Sequence, residues 1–209
     1  MYSKELSIIF PIYNEEKSIK GTLNEWRKEI DFLNIKYEII LAEDGSSDNT
    51  KKILNDILIE DREKFFLNNI EETKRGYAQA VLSSIDIANG EFILSVDADG
   101  QCDPKDFKKF WSKKSTINKN IFIGNRAIRE DKFFRLLMSK LFLIFHRMLF
   151  FSDIKDPSCP YIFCRKETFL ELKKYLNFMI EGFWWGFVAA SIKENKNIYQ
   201  ININHRKRK

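Results

Sequence analysis

The 209 residues are 44% hydrophobic and 31% charged, a balance that excludes wholesale disorder and suits a globular chain long enough to bury a core. Thirty-five basic residues against 30 acidic give a formal charge of +5, spread along the chain apart from the tail His205-Arg206-Lys207-Arg208-Lys209, and too mild to point to nucleic acid. Cys102, Cys159 and Cys164 are odd in number and lack paired zinc-type spacing, which excludes a disulfide framework and fits a reducing cytoplasm.

The N-terminal apolar run is interrupted by Pro11 and is too short for a signal peptide, so one domain over residues 1–209 is expected. Leu6 to Phe10 reads as a buried strand and Pro11-Ile12-Tyr13-Asn14-Glu15 as the loop at its carboxyl end. From Ser18 to about Leu33, apolar Ile19, Leu23, Trp26, Ile30 and Leu33 recur at three- and four-residue steps and predict a helix. Tyr37 to Ala42 is a second strand, closed by Glu43-Asp44-Gly45-Ser46-Ser47-Asp48-Asn49-Thr50, residues that favour turns and caps. A helix over about Asn49–Glu60 follows, then a short strand at Phe65–Leu67. A further helix opens with Lys74-Arg75-Gly76-Tyr77-Ala78-Gln79-Ala80 and stops at Asn89-Gly90, read as a C-terminal signal.

Phe92-Ile93-Leu94-Ser95-Val96 then ends abruptly in Asp97-Ala98-Asp99-Gly100-Gln101. An apolar run of this kind is a buried parallel strand, and the Asp/Gly turn sets two carboxylates at its carboxyl end, where open α/β sheets bind ligands. Two hard oxygen donors on a tight turn suit Mg²⁺ or Mn²⁺ beside a diphosphate, although an ordinary turn after a strand has the same spelling. A helix from near Pro104 and a strand at Ile121 to Arg126 continue the alternation of a parallel-sheet α/β fold.

Between residues 132 and 152 the pattern changes. Lys132, Arg135, Ser139, Lys140, His146 and Arg147 fall in one arc of a helical wheel, and the wider arc is Phe, Leu, Ile and Met. The segment reads as a basic amphipathic helix, broken or bent along its length, and too charged to span a membrane. Two readings stay open: a helix lying in the bilayer interface, or one whose apolar face closes the core or a dimer. Asp156-Pro157 begins a loop into a short strand, Lys166–Tyr175 is a helix, Glu181 to Ala190 leads a last helix, and Ile198–Ile203 alternates as a partly exposed strand. The basic tail reads as solvated, with phosphates or an anionic membrane surface as the alternative.

Acidic or amide side chains thus end three strands: Asn14 and Glu15, Glu43 and Asp44, Asp97 and Asp99. A parallel sheet gathers these ends on one edge, with Lys74, Arg75 and Arg126 near enough to meet phosphates. At these residues the chain resembles the family-two glycosyltransferases of the GT-A fold, a Rossmann-like, mostly parallel sheet flanked by helices, and most closely their polyprenyl-phosphate sugar transferase branch. The matching pieces are Pro11 to Glu15, Glu43 to Thr50, Arg75 to Ala80, Asp97 to Gln101, Gly124-Asn125-Arg126 and Asp156-Pro157, in the family's order. The resemblance implies that Pro11, Tyr13, Glu15 and Asp44 cup the base and ribose, with Glu43 where the family usually has Asp, and that Asp97 and Ala98 line the same pocket. It implies that Asp99 and Gln101, with Asp97, hold the metal, and that Arg126, Arg135 and Arg206 reach phosphates of donor or acceptor. Asp156, in this likeness, lies close to the acceptor.

The function implied is a metal-dependent inverting transfer of a sugar from a nucleotide-diphosphate donor to a polyprenyl phosphate, by a cytoplasmic protein peripheral at the inner membrane face. A saccharide hydroxyl is the alternative acceptor, and it needs a base, for which Asp156 is the first candidate and Glu181 the second. A nucleotidyltransferase would want a Gly-rich basic loop after the first strand, which Pro11–Glu15 is not. A non-catalytic sugar-nucleotide-binding subunit is the remaining class, and the retained Asp97, Asp99 and Gln101 speak against it.

Overall fold

The computed structural model describes residues 2–68, 74–117, 120–126 and 133–208, with side chains of the last stretch described from residue 138 onward. The strands are β1 (Lys4–Ile12), β2 (Tyr37–Glu43), β3 (Phe65–Asn68), β4 (Gly90–Ser95), β5 (Ile121–Asn125), β6 (Ile162–Arg165) and β7 (Ile198–Asn202). The helices are α1 (Ile19–Phe32), α2 (Thr50–Glu60), α3 (Tyr77–Ile87), α4 (Phe107–Trp111), α5 (Phe133–Phe150), α6 (Lys166–Leu176) and α7 (Phe183–Lys193). All seven strands share one sheet in the order β3-β2-β1-β4-β6-β5-β7. Only β6 runs against its neighbours, antiparallel to both β4 and β5.

The strands are apolar on both faces because helices cover both. Along β1, Leu6, Ile8, Phe10 and Ile12 join Trp26 of α1, Leu54 of α2 and Phe107 and Phe110 of α4, while Ile9 joins Val81 of α3, Phe169 of α6 and Phe187 of α7. Each such side chain contributes roughly 1.5–3 kcal/mol by leaving water. The chain passes from β1 through β2 to β3 on one side and returns to β4 on the other. The carboxyl ends of β1 and β4 therefore flank the point where strand order reverses, and crevices form at such points.

Two expectations are corrected. Helix α3 ends at Ile87, and Gly90 is not its cap. Gly90 opens β4, where a Cβ would collide with the backbone and hydroxyl of Ser7, so it is glycine to let β4 lie against β1. Helix α5 runs unbroken from Phe133 to Phe150, and of its polar arc His146 and Arg147 pack inward while Lys140 is exposed. His146 is buried at 1% exposure, against Phe142 and Phe150 with ring centroids 6.0 and 4.7 Å away. Arg147 donates from Nε to the Ile154 carbonyl at 3.0 Å. The opposite face is exposed and apolar, with Leu141, Ile144, Phe145, Met148 and Leu149 more than half open to solvent. The apolar arc thus does not close the core.

Candidate active site

The loops after β1 and β2 are tied into one surface by their own short polar side chains. Asn14, at φ 54°, accepts from the Ser47 N–H at 2.8 Å, and its own N–H donates to Ser46 Oγ at 3.0 Å. Glu15 donates its N–H to Thr50 Oγ1 at 2.9 Å. Glu43 is buried, and its carboxylate accepts the N–H groups of Gly45 and Ser46. It shapes the turn, and it does not line the cleft that this turn borders. Asp44 reaches the other way and accepts the N–H groups of Arg75 and Gly76 at 2.7 and 2.9 Å, pinning the start of α3.

These loops enclose a cleft of about 450 Å³ lined by Pro11, Tyr13, Glu15, Asp44, Lys74 and Tyr77 and floored by Asp97, Ala98 and Asp99. The Lys74 ammonium lies 4.0 Å from the centroid of the Tyr13 ring. Arg75 does not line the cleft. The tail does: His205 bridges to Cys102, the Arg206 N–H donates to the Gln101 carbonyl at 2.8 Å, and Arg208 reaches into the cleft to pair with Glu15. Arg206 itself is turned to Glu25 at 2.5 Å and Asp103 at 2.8 Å, away from the cleft. Gln101 donates its side-chain amide to the Arg206 carbonyl at 3.1 Å.

Asp97 stands at the centre. Burial first, and the neighbouring Asp99 charge second, push its pKa up to about 6, partly offset by the hydroxyl of Tyr77 at 2.9 Å. The Trp184 indole donates to that same hydroxyl at 2.6 Å, so α3 and α7 jointly orient the carboxylate. Asp99 accepts the Gln101 N–H at 3.0 Å. The two acids and the Gln101 amide oxygen are hard donors, and Mg²⁺ is usually held by one or two carboxylates together with substrate phosphates, so the set fits such a cation. Among the described residues, no group of three or more His, Cys, Asp or Glu is gathered around one point.

On the other side of Asp97 opens a larger cleft of about 700 Å³, between α5 and the loop after it. Asp156, 4% exposed, receives the Arg126 guanidinium as a fork, Nε at 2.6 Å and Nη2 at 2.9 Å. Burial alone would lower the Arg126 pKa, but the hydrogen bonds that Arg126 donates to Asp156 outweigh it and raise it. Lys140 and Lys155 line the same cleft, together with the apolar side chains of Met138, Phe142, Leu143 and Trp185. The Arg135 side chain lies outside the described residues. Sequence reasoning gave no role to Tyr77, Trp184, Trp185, Lys155 or Ser158; the run Phe183-Trp184-Trp185 beside Glu181 was the available signal, because packed aromatics flanking a carboxylate often form a site wall.

A family model described as glycosyl transferase family 2 matches residues 7–193. The dolichyl-phosphate beta-glucosyltransferase of Dictyostelium discoideum is 33% identical over 185 residues, 78% of this chain and 54% of that protein. The undecaprenyl-phosphate 4-deoxy-4-formamido-L-arabinose transferase of Proteus mirabilis is 30% identical over 138 residues, 66% of this chain and 41% of that one. The chain thus spans about half the length of these curated relatives. Among solved structures, glucosyl-3-phosphoglycerate synthase from Mycobacterium tuberculosis, in complex with Mn²⁺, uridine diphosphate and glucosyl-3-phosphoglycerate, superposes with a TM-score of 0.71 at 16% identity, covering 99% of this chain and 74% of that one. At that identity the likeness speaks for the fold, which is the α/β GT-A fold with its mostly parallel seven-stranded sheet.

Proposed function

The chain belongs to glycosyl transferase family 2, and from that premise we propose that it is a divalent-metal-dependent inverting glycosyltransferase that moves a sugar from a nucleotide diphosphate to a polyprenyl phosphate at the cytoplasmic face of a membrane. The observation that carries this reading is the cleft beside α5, lined both by Arg126, Lys140 and Lys155 and by the apolar Met138, Phe142, Leu143 and Trp185. A phosphate on a hydrocarbon chain uses both surfaces. A saccharide hydroxyl carries no charge to engage the cations. The two relatives' names, which carry dolichyl phosphate and undecaprenyl phosphate, agree with that choice.

In this reading Pro11, Tyr13, Glu15 and Asp44 hold the base and ribose, and Lys74 and Arg208 face the donor phosphates. Asp97, Asp99 and Gln101 would hold Mg²⁺ or Mn²⁺, which when bound neutralises charge on the departing diphosphate. An acceptor phosphate oxygen attacks the anomeric carbon from the side opposite the diphosphate. The new C–O bond forms as the old one breaks, the nucleoside diphosphate leaves with the bonding pair, and the anomeric configuration inverts. The attacking oxygen is already ionised near neutral pH, so no side chain has to take a proton. Asp156 fits this, because a carboxylate held in a guanidinium fork is a poor proton acceptor. Its role is to hold Arg126 at the acceptor side.

Among the described residues no helix is long and apolar enough to cross a membrane. The exposed apolar face of α5 suits a helix lying in the interface beside the cleft mouth. The test supplies the purified chain with nucleotide sugars, Mn²⁺ and either a polyprenyl phosphate or an oligosaccharide. Metal-dependent formation of the sugar-linked lipid phosphate is expected; transfer to the saccharide alone would overturn the acceptor assignment. Donor binding without transfer to either would place the chain among non-catalytic binding subunits.

A further inference from the structure

Asp97 lines the donor cleft and the cleft beside α5 alike, and charges on the two sides pull it in one direction. Asp99 and Glu15, which line the donor cleft, repel its carboxylate, whereas Arg126, which lines the other cleft, attracts it. Charge alone therefore favours a carboxylate turned out of the donor cleft toward Arg126. A single hydrogen bond opposes that turn. Among the described residues, Tyr77 is the one group that donates to the Asp97 side chain, from Oη to Oδ1 at 2.9 Å.

The direction of that bond is set by the chemistry of its neighbours. An indole N–H can only donate and a tyrosine hydroxyl carries one proton, so the bond from Trp184 Nε1 at 2.6 Å occupies a lone pair of the hydroxyl and leaves its proton for Asp97. Both aromatic residues are held in place. Trp184 is buried, with the rings of Phe183, Phe169 and Phe187 at 4.8, 6.5 and 6.1 Å. Tyr77 opens α3 directly after Gly76, whose N–H is pinned by Asp44, and its ring meets Phe183 and Trp184, each at 6.2 Å.

We infer that Tyr77 and Trp184 are positioning residues for donor binding, a relay from indole to hydroxyl to carboxylate that keeps Asp97 at the floor of the donor cleft, ready for the cation that accompanies the diphosphate; the inference rests on the donor reading above. A carboxylate fixed beforehand does not have to be ordered when the ligand arrives. Hydrogen-bond partners behind a metal ligand commonly account for about 10–100-fold in metal affinity. If Tyr77 served only to satisfy the Trp184 indole, losing its hydroxyl would lower stability and leave donor binding unmoved.

The test is isothermal titration calorimetry on the wild-type chain, Tyr77→Phe, Trp184→Phe and the double variant, with and without Mn²⁺. The titrant is whichever of UDP, GDP, CDP, ADP and dTDP the wild type binds. Tyr77→Phe removes one oxygen and keeps the packed ring, and it is expected to weaken binding with Mn²⁺ about tenfold while changing the metal-free affinity less than about twofold. Trp184→Phe should weaken binding with Mn²⁺ about threefold by itself and add nothing in the Tyr77→Phe background, because its effect passes through the hydroxyl. Should Trp184→Phe fail to fold, Tyr77→Phe carries the test alone. Unchanged affinity in Tyr77→Phe, an equal loss with and without Mn²⁺, or a Trp184→Phe loss of the same size in both backgrounds would overturn the relay and leave the donor cleft standing. So would a crystal structure of Tyr77→Phe in which Asp97 keeps its rotamer, whatever ligand the chain takes. Failure of every diphosphate to bind the wild type would overturn the donor reading and this inference with it.

Discussion

Arg126 and Asp156 are both largely buried, and for such a pair the attraction roughly repays the loss of hydration only while both partners are present. Arg126→Ala is therefore expected to lower stability by about 1.5–3 kcal/mol, since it removes the guanidinium fork from a buried carboxylate, and Arg126→Met with Asp156→Leu should cost less than the single change. Urea unfolding of the wild type and the two variants measures this; a double variant less stable than Arg126→Ala would refute the pairing argument. Asp156→Asn, assayed where it remains folded, also separates the acceptor classes. With a phosphate acceptor, kcat against pH should show no limb that the substitution removes, whereas a base serving a hydroxyl acceptor would drop kcat by roughly 10²–10⁴-fold. Asp99→Asn removes one anionic donor from a surface turn and no core volume. It should cripple Mn²⁺-dependent nucleotide binding and leave the unfolding midpoint unmoved, and near-normal turnover would end the metal assignment.

At the scale of elements, α5 is the unusual one, because His146 and Arg147 of its polar arc are turned inward and Leu141, Ile144, Phe145, Met148 and Leu149 of its apolar arc outward. Arg147 caps the Asp153–Ile154 turn from the polar arc, and Phe142, at the border of the apolar arc, meets Trp185, so the contacts that seat the helix come from both arcs. Phe145 and Met148 are 62% and 71% exposed, so replacing both with Ser should change stability by no more than about 0.5 kcal/mol each. The same double variant should lose flotation with anionic vesicles, which the wild-type chain is expected to show at low salt and to lose at high salt, each surface cation adding only about 1 kcal/mol. Wild-type flotation that is absent at low salt, or unaffected by the double substitution, would remove the membrane role of α5.

Over the whole molecule, the site is assembled from segments far apart in sequence, with the tail at Arg208 meeting Glu15 and α7 meeting α3 through Trp184 and Tyr77. A ligand that binds this assembled edge binds only the folded state. A nucleoside diphosphate with Mn²⁺ at 100 times its Kd should stabilise the chain by about 2.7 kcal/mol. For a chain of this size that is a rise in Tm of roughly 5–10 °C. Omitting Mn²⁺ should abolish most of the shift; an equal shift without metal would argue that the cation has no part in donor binding.

The strands β1 to β5 were legible because each is a short apolar run closed within a few residues by Gly, Asp, Asn or Ser, and the carboxylates at Glu43, Asp44, Asp97 and Asp99 were legible because a parallel sheet sends such strand ends to one edge. What composition and periodicity do not carry is which way an amphipathic face turns. Helix α5 has a clean apolar arc, yet packing is decided by the shape and hydrogen-bonding groups of the surface it meets, and here a histidine, an arginine and Phe142 meet that surface while Leu141, Ile144, Phe145, Met148 and Leu149 are left outside. The same reason separates Arg206 from Arg208: two residues apart in one basic tail, they were equal as letters, and only the position of Glu25 and Asp103 on one side and Glu15 on the other sends one guanidinium away from the cleft and the other into it. Sequence determined the chemistry available at the sheet edge, because residue type sets charge and donor atoms; tertiary structure decided which of those groups face one another, because distance and burial belong to the packed molecule.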